Sequence, residues 1–379
     1  MQLSVIVLNY NVRYFLELCL QSVVQATNGL SAEIIVVDNN SPDDSCAMVK
    51  KQFPNIKLIE NKENVGFAKA NNQAVLEAKG TYVCILNPDT VVTEHTFSSV
   101  LRKAVQLPNL GMLGVQLIDG KGRFLPESKR NLPTPKVSFL KIMGARFSHL
   151  APYYVDALLP DKEGEIAILV GAFMLCKKIV YQKVGGFDED YFMYGEDIDL
   201  SYKVQQAGYK NYYLGSESVV HFKGESTLKD SVYRKRFFGA MKLFYKKHFK
   251  SSGITNLFIY TGIKFSALLQ TAKKQEASIS FRSSLLLSTN DVLLQQLRKE
   301  KTEIIAVVKK EALQVYADKN IPICCFLDMG MLNYHEAIQL IKKYQSTLLY
   351  FRFIPKNSKF AVGSDTSSGR GQVIGFRYC

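Results

Sequence analysis

The sequence contains no apolar run long enough to cross a bilayer. A membrane-spanning helix needs about 20 consecutive apolar residues, and no uncharged apolar stretch of about 18 residues occurs in the 379-residue chain. The N-terminus enters the apolar segment LSVIVL (residues 3–8) without a preceding basic region, so no secretory signal peptide is predicted. Both absences argue against an integral membrane protein or a secreted one.

Paired cysteines are also missing. The seven cysteines are scattered, with no CxxC motif and no histidine at the spacing of a zinc site. Cys84, Cys176, Cys324 and Cys325 lie within apolar runs, where reduced cysteine behaves as a small hydrophobic residue. The pattern argues against a disulfide framework and favours a reducing compartment, the cytosol.

Acidic residues are few compared with basic ones. The 34 Asp and Glu face 48 Lys and Arg, which leaves a net charge of +14 and a pI near 9.3. Such a charge implies a partner of negative sign: nucleic acid, anionic lipid or a phosphorylated small molecule. With 47% hydrophobic residues the chain can bury a substantial core, and its length suggests two domains or one large domain with an appendage.

Short β-branched runs alternate with helical patterns in the first part of the chain. Strands are predicted at LSVIVL (3–8), EIIVV (33–37), IKLIE (56–60) and TYVCIL (81–86). Helices are predicted at about 13–26 and 65–78, and another begins at Ser41-Pro42-Asp43-Asp44, a capping serine followed by proline and two acids. This alternation predicts an α/β fold with a mostly parallel, Rossmann-like sheet.

Each of those strands is followed by a loop rich in Asn, Asp and Ser. The loops are NYN (9–11), DNNS (38–41), NKENVGF (61–67) and NPDT (87–90). Asn and Asp are common turn formers, so one such loop carries little information. Because parallel strands place their carboxyl ends at one edge of a sheet, four such loops together predict a polar pocket there.

The middle of the chain is less regular. Residues 108–165 contain several prolines and mixed charges, and we interpret them as a crossover toward an acceptor-facing region. A strand is predicted within EIAILVGAFMLCKK (165–178), and a helix within YGEDIDLSYKVQQAGY (194–209) ends at Gly208. Two short strands, YKNYYL and SVVHF, would complete a first domain of residues 1–228.

A basic, aromatic-rich amphipathic stretch follows, in which Asp230 is the only acid between residues 229 and 274. Two interpretations remain open: a segment that binds an anionic membrane surface, or a helix that packs on the domain with a solvated basic face. We predict an amphipathic helical segment at 229–279.

Residues 280–379 are predicted to form a separate small α/β module. Four strand-like segments, SLLLST, IIAVVK, IPICCFL and TLLYFRF, are separated by helical patterns. The Ser/Gly-rich loop SDTSSGRG (364–371) lacks the P-loop pattern and is interpreted as a hairpin connection between FAVGS and GQVIGF.

Three groups of residues carry the chemistry that the sequence suggests: Asp89 after TYVCIL, Glu196-Asp197 in YGEDIDL, and His221 in HFKGEST. Asp89 and His221 could hold Mg²⁺ or Mn²⁺, with diphosphate oxygens and water as the other ligands. Asp197 could act as general base, although a helix start favours the charged carboxylate, so burial or Glu196 would have to oppose that effect. Acids are also common in the first turn of any helix.

Seven segments resemble the family 2 glycosyltransferases, inverting enzymes of GT-A fold, and within them the bacterial rhamnosyltransferase-like branch. They are SVIVLNYN, IIVVDNNSPD, NVGFAKANNQA, ILNPDT, VGAFML, GGFDEDYFMYGEDIDLSYKVQQAGY and HFKGEST, in the family's order over residues 1–250. Most members carry DxD after the fourth strand, whereas this branch commonly has NPD. The resemblance therefore implies that Asp89 keeps the metal role while an amide, Asn87, supports it.

The resemblance also implies a role for each matching position. Asn9, Tyr10 and Asn11 would line the nucleotide pocket, and Asp38 and Asn39 would contact the base or ribose. Asn64, Gly66 and Asn71 would help to hold the nucleotide and diphosphate, and Gly171 would shape the sugar and acceptor site. Asp197 would be the catalytic base with Glu196 beside it, and His221 would complete the binding of metal and diphosphate.

The implied function is inverting transfer of a sugar from dTDP-rhamnose or a UDP-sugar to a glycan or lipid-linked acceptor in bacterial surface polysaccharide synthesis. The enzyme would work in the cytoplasm, peripherally at the inner face of the membrane. Nucleic acid is not an expected partner, because the basic residues concentrate in one amphipathic stretch. A competing hypothesis is a nucleotide-sugar-binding scaffold without catalysis, suggested by Asn87 and by the C-terminal module.

Overall fold

Two mixed α/β units follow one another along the chain, each built around its own sheet. The structure is a computed structural model that describes residues 1–134, 153–223, 231–249, 279–281, 283–300, 304–307, 309–366 and 369–376. The predicted α/β class is confirmed in both units.

A nine-stranded sheet forms the first unit and positions the polar loops. Its strands are β1 (Leu3–Asn9), β2 (Ala32–Asp38), β3 (Lys57–Glu60), β4 (Tyr82–Leu86), β5 (Thr90–Val91), β6 (Leu110–Ile118), β7 (Glu163–Ile166), β8 (Phe173–Lys177) and β9 (Lys210–His221). Their order is β3-β2-β1-β4-β8-β6-β9-β5, with β7 also beside β9. The first four strands in this order are parallel, so the polar loops that follow them share one edge of the sheet.

Antiparallel pairings appear beyond β4. β8 runs antiparallel to both β4 and β6, while β6 runs parallel to β9. The single strand predicted at 165–178 is in fact two, β7 and β8, because residues 167–172 leave the sheet and reach the predicted site. The two strands predicted at YKNYYL and SVVHF form one strand, β9, whose register with β6 shifts between Val115 and Gln116.

Helices cover both faces of this sheet. They are α1 (Arg13–Thr27), α2 (Ser45–Gln52), α3 (Phe67–Glu77), α4 (Thr96–Gln106), α5 (Lys178–Lys183) and α6 (Glu196–Gln206). Strand residues alternate between two cores: Val5 packs with α1 and α4, whereas Ile6 packs with α3 and α6. α2 begins at Ser45 and not at Ser41, because the Ser41 hydroxyl accepts hydrogen bonds from Asn9 Nδ2 and the Asn11 N–H instead.

Helix α7 (Ser231–His248) begins the basic stretch and packs on the first unit. Ala240, Phe244 and Tyr245 are buried in a cluster with Tyr191 and Ile198. The apolar side of α7 therefore packs on the first unit, while binding of its basic face to a membrane stays a prediction. Residues 250–278 lie outside the described residues. Among the described helices, none combines the length and hydropathy that a bilayer crossing requires.

A six-stranded sheet forms the second unit. Its strands are β10 (Ser283–Leu287), β11 (Ile304–Ala306), β12 (Ile323–Asp328), β13 (Leu349–Ile354), β14 (Phe360–Gly363) and β15 (Gln372–Gly375), with helices α8 (Asp291–Glu300), α9 (Leu313–Ala317) and α10 (Tyr334–Lys343) between them. β11, β10, β12 and β13 are parallel, and β14 and β15 add an antiparallel hairpin. Each strand-like segment predicted in this module forms a strand.

The two units share a hydrophobic core. Phe353 of β13 lies edge-on to Phe222 with ring centroids 6.0 Å apart, and Phe222 meets Phe15 of α1 at 5.2 Å. At another point, the Glu94 carboxylate accepts the backbone N–H groups of Tyr334 and His335 at 2.6 and 2.9 Å. Because Phe222 directly follows His221, this interface supports the strand end that carries a predicted site residue.

We predict that Phe353→Ala lowers the free energy of unfolding by about 3–5 kcal/mol, since truncating a fully buried aromatic ring removes apolar burial and leaves a cavity. Urea unfolding would measure the loss. Val315→Ala, at a side chain that is 63% exposed, is the control and should change stability by less than about 1 kcal/mol. A Phe353→Ala protein as stable as the wild type would contradict the shared core.

Candidate active site

The ends of β1 and β2 form one side of the candidate site. The strand register places Asn9 beside Asp38, and both side chains are buried. Asn9 Nδ2 donates to Asp38 Oδ2 at 2.7 Å, and the Ser41 N–H donates to Asp38 Oδ1 at 2.8 Å. Tyr10 and Asn11 follow at once, and a positive φ of 57° at Asn11 turns the chain away from the strand.

The next two polar loops are joined by amide side chains. Asn39 Nδ2 donates to Asn64 Oδ1 at 3.3 Å and to the Gly66 carbonyl at 3.1 Å. Gly66 has a φ of 87°, and a Cβ there would lie 2.6 Å from the Phe192 carbonyl oxygen, so this position requires glycine. The Phe67 N–H donates to the same carbonyl at 2.8 Å. The loop before α3 is thereby fixed to the loop before α6.

Two buried amide oxygens in this region have no hydrogen-bond partner among the described residues: Asn9 Oδ1 and Asn71 Oδ1. Asn71 lies in α3, where its Nδ2 donates to the Phe67 carbonyl at 2.9 Å. A buried acceptor without a donor costs free energy, and a ligand that supplies donors would recover that cost. The structure thus brings the predicted pocket residues together, and their contact with a nucleotide stays a prediction.

Strands β5 and β9 bring Asp89 and His221 into contact from distant parts of the sequence. Thr90 pairs with His221 in the antiparallel register, and the Phe222 N–H donates to the Asp89 carbonyl at 3.0 Å. Asp89 Oδ1 then lies 3.3 Å from His221 Nε2, and Asn87 Nδ2 lies 3.4 Å from the same nitrogen. Both Asp89 and His221 are buried.

The pair fits a cation site with two protein ligands. A carboxylate oxygen and an imidazole nitrogen converge on one point, and His221 Nδ1 is buried with no hydrogen-bond partner in the described part of the chain. Within the described ranges, no group of three or more His, Cys, Asp and Glu could hold a metal ion. A cation at Asp89 and His221 would therefore need diphosphate oxygens or water to complete its coordination.

Asp197, the second residue of α6, is held by three donors. Its Oδ2 accepts from Arg130 Nη2 at 2.7 Å and from the Gly171 N–H at 3.2 Å, and its Oδ1 accepts from the Ile198 N–H at 2.8 Å. A Cβ added at Gly171 would meet nothing closer than 3.4 Å. Gly171 therefore contributes its N–H to the site. A larger residue would fit at this position without a close contact of its Cβ.

Arg130 is a site residue that the sequence reasoning missed. It is buried and also donates to the Leu169 carbonyl. Burial alone would lower the pKa of the guanidinium, but Asp197 raises it and the net shift is upward. Arg130 follows a short 3₁₀ helix, Pro126–Ser128, in a stretch whose sequence has no helix or strand periodicity. The acids in GEDID could have indicated such a residue, because buried carboxylates need a positively charged side chain nearby.

Glu196, the first residue of α6, differs sharply from its neighbour. Burial raises the pKa of Glu196 to about 8, and the negative charge of Asp197 adds to the effect. Glu196 Oε2 is buried and has no hydrogen-bond partner among the residues that the structure describes. Asp197, the acid expected to be the catalytic base, is thus paired with the Arg130 guanidinium. Glu196 has no such ion pair among the described residues.

The Asp89–His221 pair and the acids of α6 are connected through the backbone. The Asn87 N–H donates to the Ala172 carbonyl at 3.1 Å, next to Gly171 and its contact with Asp197. Glu127 contacts Lys223 Nζ at 2.5 Å, close to His221, only three residues before Arg130. A separate polar cavity of about 320 Å³ lies between the two units and is lined by none of the predicted site residues.

Residues 4–185 match the family Glycosyl transferase family 2. Residues 4–185 therefore form a family 2 glycosyltransferase domain, and the chain is a glycosyltransferase. The glycosyltransferase is 29% identical over 248 residues to the N-acetylglucosaminyl-diphospho-decaprenol L-rhamnosyltransferase of Mycobacterium tuberculosis. The match covers 60% of this chain and 78% of that relative. It is 35% identical over 102 residues to the minor teichoic acid biosynthesis protein GgaB of Bacillus subtilis, covering 26% of this chain but only 11% of GgaB.

Solved structures of glycosyltransferases also resemble this one. The mannosyltransferase PcManGT from Pyrobaculum calidifontis, in complex with GDP-Man and Mn²⁺, is 18% identical with a TM-score of 0.46 over 70% of this chain and 73% of that chain. TarS 1–349 of S. aureus is 16% identical with a TM-score of 0.45 over 71% and 73%.

We predict that Glu196→Gln stabilises the glycosyltransferase at high pH. A carboxyl whose pKa rises from 4.5 to about 8 on folding contributes stability below pH 4.5 that is lost as the pH rises through 8. Glutamine does not ionise, so the variant should gain a few kcal/mol over the wild type at pH 9 and none at pH 4. Thermal unfolding at both pH values, with exposed Glu165→Gln as control, measures this. An equal gain at both pH values would contradict the buried charge.

Proposed function

We propose that this glycosyltransferase moves a sugar from a nucleotide-diphosphate donor to a hydroxyl group of a lipid-linked acceptor, with inversion at the anomeric carbon. The observation that carries the proposal is the backbone connection between the Asp89–His221 pair and the acids of α6: the Asn87 N–H donates to the Ala172 carbonyl, and the neighbouring Gly171 N–H donates to Asp197. The substrate classes are suggested by the mycobacterial relative, whose name specifies L-rhamnosyl transfer to a diphospho-decaprenol compound.

The donor is proposed to be dTDP-rhamnose or a UDP-sugar. The pocket at the ends of β1 and β2 offers Asp38 to ribose hydroxyls or base N–H groups. The unpaired oxygens of Asn9 and Asn71 offer further acceptors. Carboxylate and amide oxygens in buried positions favour a ligand rich in donors, as nucleosides are.

Asp89 and His221 are the residues that would hold a divalent cation, Mg²⁺ or Mn²⁺. When bound, the cation would neutralise the negative charge of the donor diphosphate. An imidazole ligand suits Mn²⁺ better than Mg²⁺. Because Asn87 supplies a neutral amide where a second carboxylate would add charge, we expect metal binding to depend strongly on the nucleotide diphosphate.

The protein's own residues would bind the nucleotide, orient the sugar and accept a proton. A donor held at the ends of β1 to β4 projects its sugar toward α6. The acceptor hydroxyl gives its proton to the Glu196–Asp197 pair as its oxygen attacks the anomeric carbon from the face opposite the diphosphate. The bond from that carbon to the diphosphate oxygen breaks in the same displacement, so the configuration inverts.

Helix α7 is proposed to face the acceptor side and an anionic membrane surface. Its apolar residues pack on the loop before α6, where Lys247 Nζ contacts Asp188 and Asp190 at 2.5 and 2.6 Å. Lys235, Lys242 and Lys246 are exposed on the same helix. Basic side chains beside the acceptor site suit a diphosphate-linked lipid in the cytoplasmic leaflet, which would place the enzyme peripherally at the inner face of the membrane.

The scaffold hypothesis is tested by the same assay as the proposal. Nucleotide sugars are first screened for Mn²⁺-dependent thermal stabilisation of the full chain. The best donor is then incubated with a polyprenyl-diphospho-N-acetylglucosamine acceptor, and NMR of the product reports the anomeric configuration. Transfer with inversion supports the proposal, retention contradicts it, and donor binding without any turnover favours the scaffold.

For the cation pair, we predict that His221→Gln and Asp89→Asn each lower kcat/KM for transfer by about 10²-fold or more. Each change removes one of the two protein ligands. Isothermal titration should show that Mn²⁺ no longer strengthens binding of the nucleoside diphosphate. His95→Gln, an exposed histidine, is the matched control and should behave as wild type. Undiminished Mn²⁺ coupling in both variants would remove Asp89 and His221 from the metal role.

For helix α7, we predict that a triple variant binds more weakly to vesicles containing phosphatidylglycerol. The variant carries Lys235→Ser, Lys242→Ser and Lys246→Ser. A lysine near an anionic surface contributes about 1 kcal/mol, so the loss should exceed tenfold at low salt. The control is a second triple variant, which removes the same charge at exposed lysines elsewhere: Lys51→Ser, Lys319→Ser and Lys343→Ser. Co-sedimentation measures both sets, and equal losses in the two would refute a specific role for α7.

A further inference from the structure

We infer that helix α10 of the second unit holds β5 and β9 in register, and that the contact between Asp89 and His221 depends on this helix. Glu94 and Lys342 are the positioning residues through which the helix acts. The inference rests on the proposed function, because the Asp89–His221 pair is the proposed cation site. It also assigns a role to the second unit, which the transfer reaction itself does not explain.

Strand β9 contains an irregularity shortly before its end. Val115 of β6 pairs with Leu214, but the next residue of β6, Gln116, pairs with Ser218, so three residues of β9 are passed over. Such a bulge resets the alignment of everything that follows it. Because side chains alternate between the two faces of a sheet, the register after the bulge decides the face on which His221 lies. The pairing of Gln116 with Ser218 is therefore the point at which that face is set.

Lys342, near the end of α10, binds both members of this pair. Its Nζ donates to Gln116 Oε1 at 2.9 Å and to Ser218 Oγ at 2.8 Å. The Ser218 hydroxyl in turn donates to Gln116 Oε1 at 2.6 Å. Gln116 and Ser218 are each 5% exposed, and hydrogen bonds donated by a charged group are stronger than neutral ones. A slip of β9 by one residue would break the bond from Lys342 to Ser218.

Glu94 connects the opposite end of α10 to the neighbouring strand. It lies three residues after Val91, the last residue of β5. Its carboxylate accepts the N–H groups of Tyr334 and His335, the first two residues of the helix. A negative charge is favoured at a helix N-terminus. One helix of ten residues, about 15 Å long, thus binds the chain after β5 at its start and β9 near its end.

Between these two contacts the helix packs on the strands themselves. Ile338 and Ile341 are fully buried in the same core as Val91 of β5 and Val220 of β9. A capping box fixes the first turn of the helix. A helix packed into a dense core resists displacement, so it can hold two strands at a fixed offset. Loss of the Lys342 contact should therefore loosen the β5–β9 pairing more than the fold as a whole.

The first test is native-state hydrogen exchange of the full chain, read by mass spectrometry. In Lys342→Met, the amides of residues 218–222 should exchange about tenfold faster or more, because a charged hydrogen-bond donor is lost. The amides of β1 should exchange as in the wild type. Lys343→Met removes the same charge at the adjacent exposed position and is the matched control. Lys342→Arg keeps a charged donor and should restore part of the protection.

The second test is titration with UDP and with dTDP, each in the presence and absence of Mn²⁺. In Lys342→Met, the gain in affinity that Mn²⁺ provides should fall by about tenfold. Affinity without Mn²⁺ should not change, because the side-chain bonds of Lys342 go to β6 and β9 and not to the nucleotide pocket. Glu94→Ala releases the other strand and should lower the same gain. A general loss of structure would instead weaken nucleotide binding under both conditions.

Three results for Lys342→Met would overturn the inference and leave the proposed function intact: wild-type exchange at residues 218–222, an equal rise in exchange along the whole chain, or a local rise with an unchanged Mn²⁺ gain. A wild type whose binding of both nucleoside diphosphates is indifferent to Mn²⁺ has a different meaning. It would contradict the metal role of Asp89 and His221 in the proposed function, and the inference with it.

Discussion

The pairing of β5 with the end of β9 is the constraint on which the candidate site depends. β5 contains only Thr90 and Val91, yet its antiparallel register with Val220 and His221 sets where Asp89 lies. The backbone bond from Phe222 to the Asp89 carbonyl closes the ladder one step further. A shift by one residue would turn the His221 imidazole to the other face of the sheet. The second unit supports this register, because Phe222 is buried against Phe353.

Charge is distributed unevenly across the site. The nucleotide side is built mainly from amides, with Asp38 as its buried acid. The side formed by α6 places two acids at a helix start, and Arg130 compensates only one of them. Because the buried Arg130 guanidinium pairs with Asp197 and not with Glu196, the two adjacent carboxyl groups are chemically different. The sequence presents them as an ordinary Glu-Asp pair. Such a difference in hydrogen bonding and charge compensation within a pair is typical of sites that assign different roles to two acids.

Much of this was accessible from the sequence, for identifiable reasons. Parallel strands with polar loops predicted the edge at which Asn9, Asp38 and Asn39 meet, because strand periodicity and turn chemistry are local properties. The contact of Asp89 with His221 required the family resemblance, since no local rule links two residues so far apart. Arg130 escaped prediction because it lies in an irregular segment. The role of Ser41 was misjudged because its capping signature competes with a long-range bond to Asn9. The packing of the second unit depends on complementary surfaces, which periodicity does not encode.

We propose that Asp89 and His221 are the two protein ligands of a metal–diphosphate site. A crystal of the wild-type protein grown with Mn²⁺ and the nucleoside diphosphate of the preferred donor would test it most directly by anomalous diffraction at the manganese edge. We expect one strong peak within coordination distance of the Asp89 carboxylate, the His221 imidazole and the diphosphate. A manganese peak on the diphosphate but away from both side chains would contradict it.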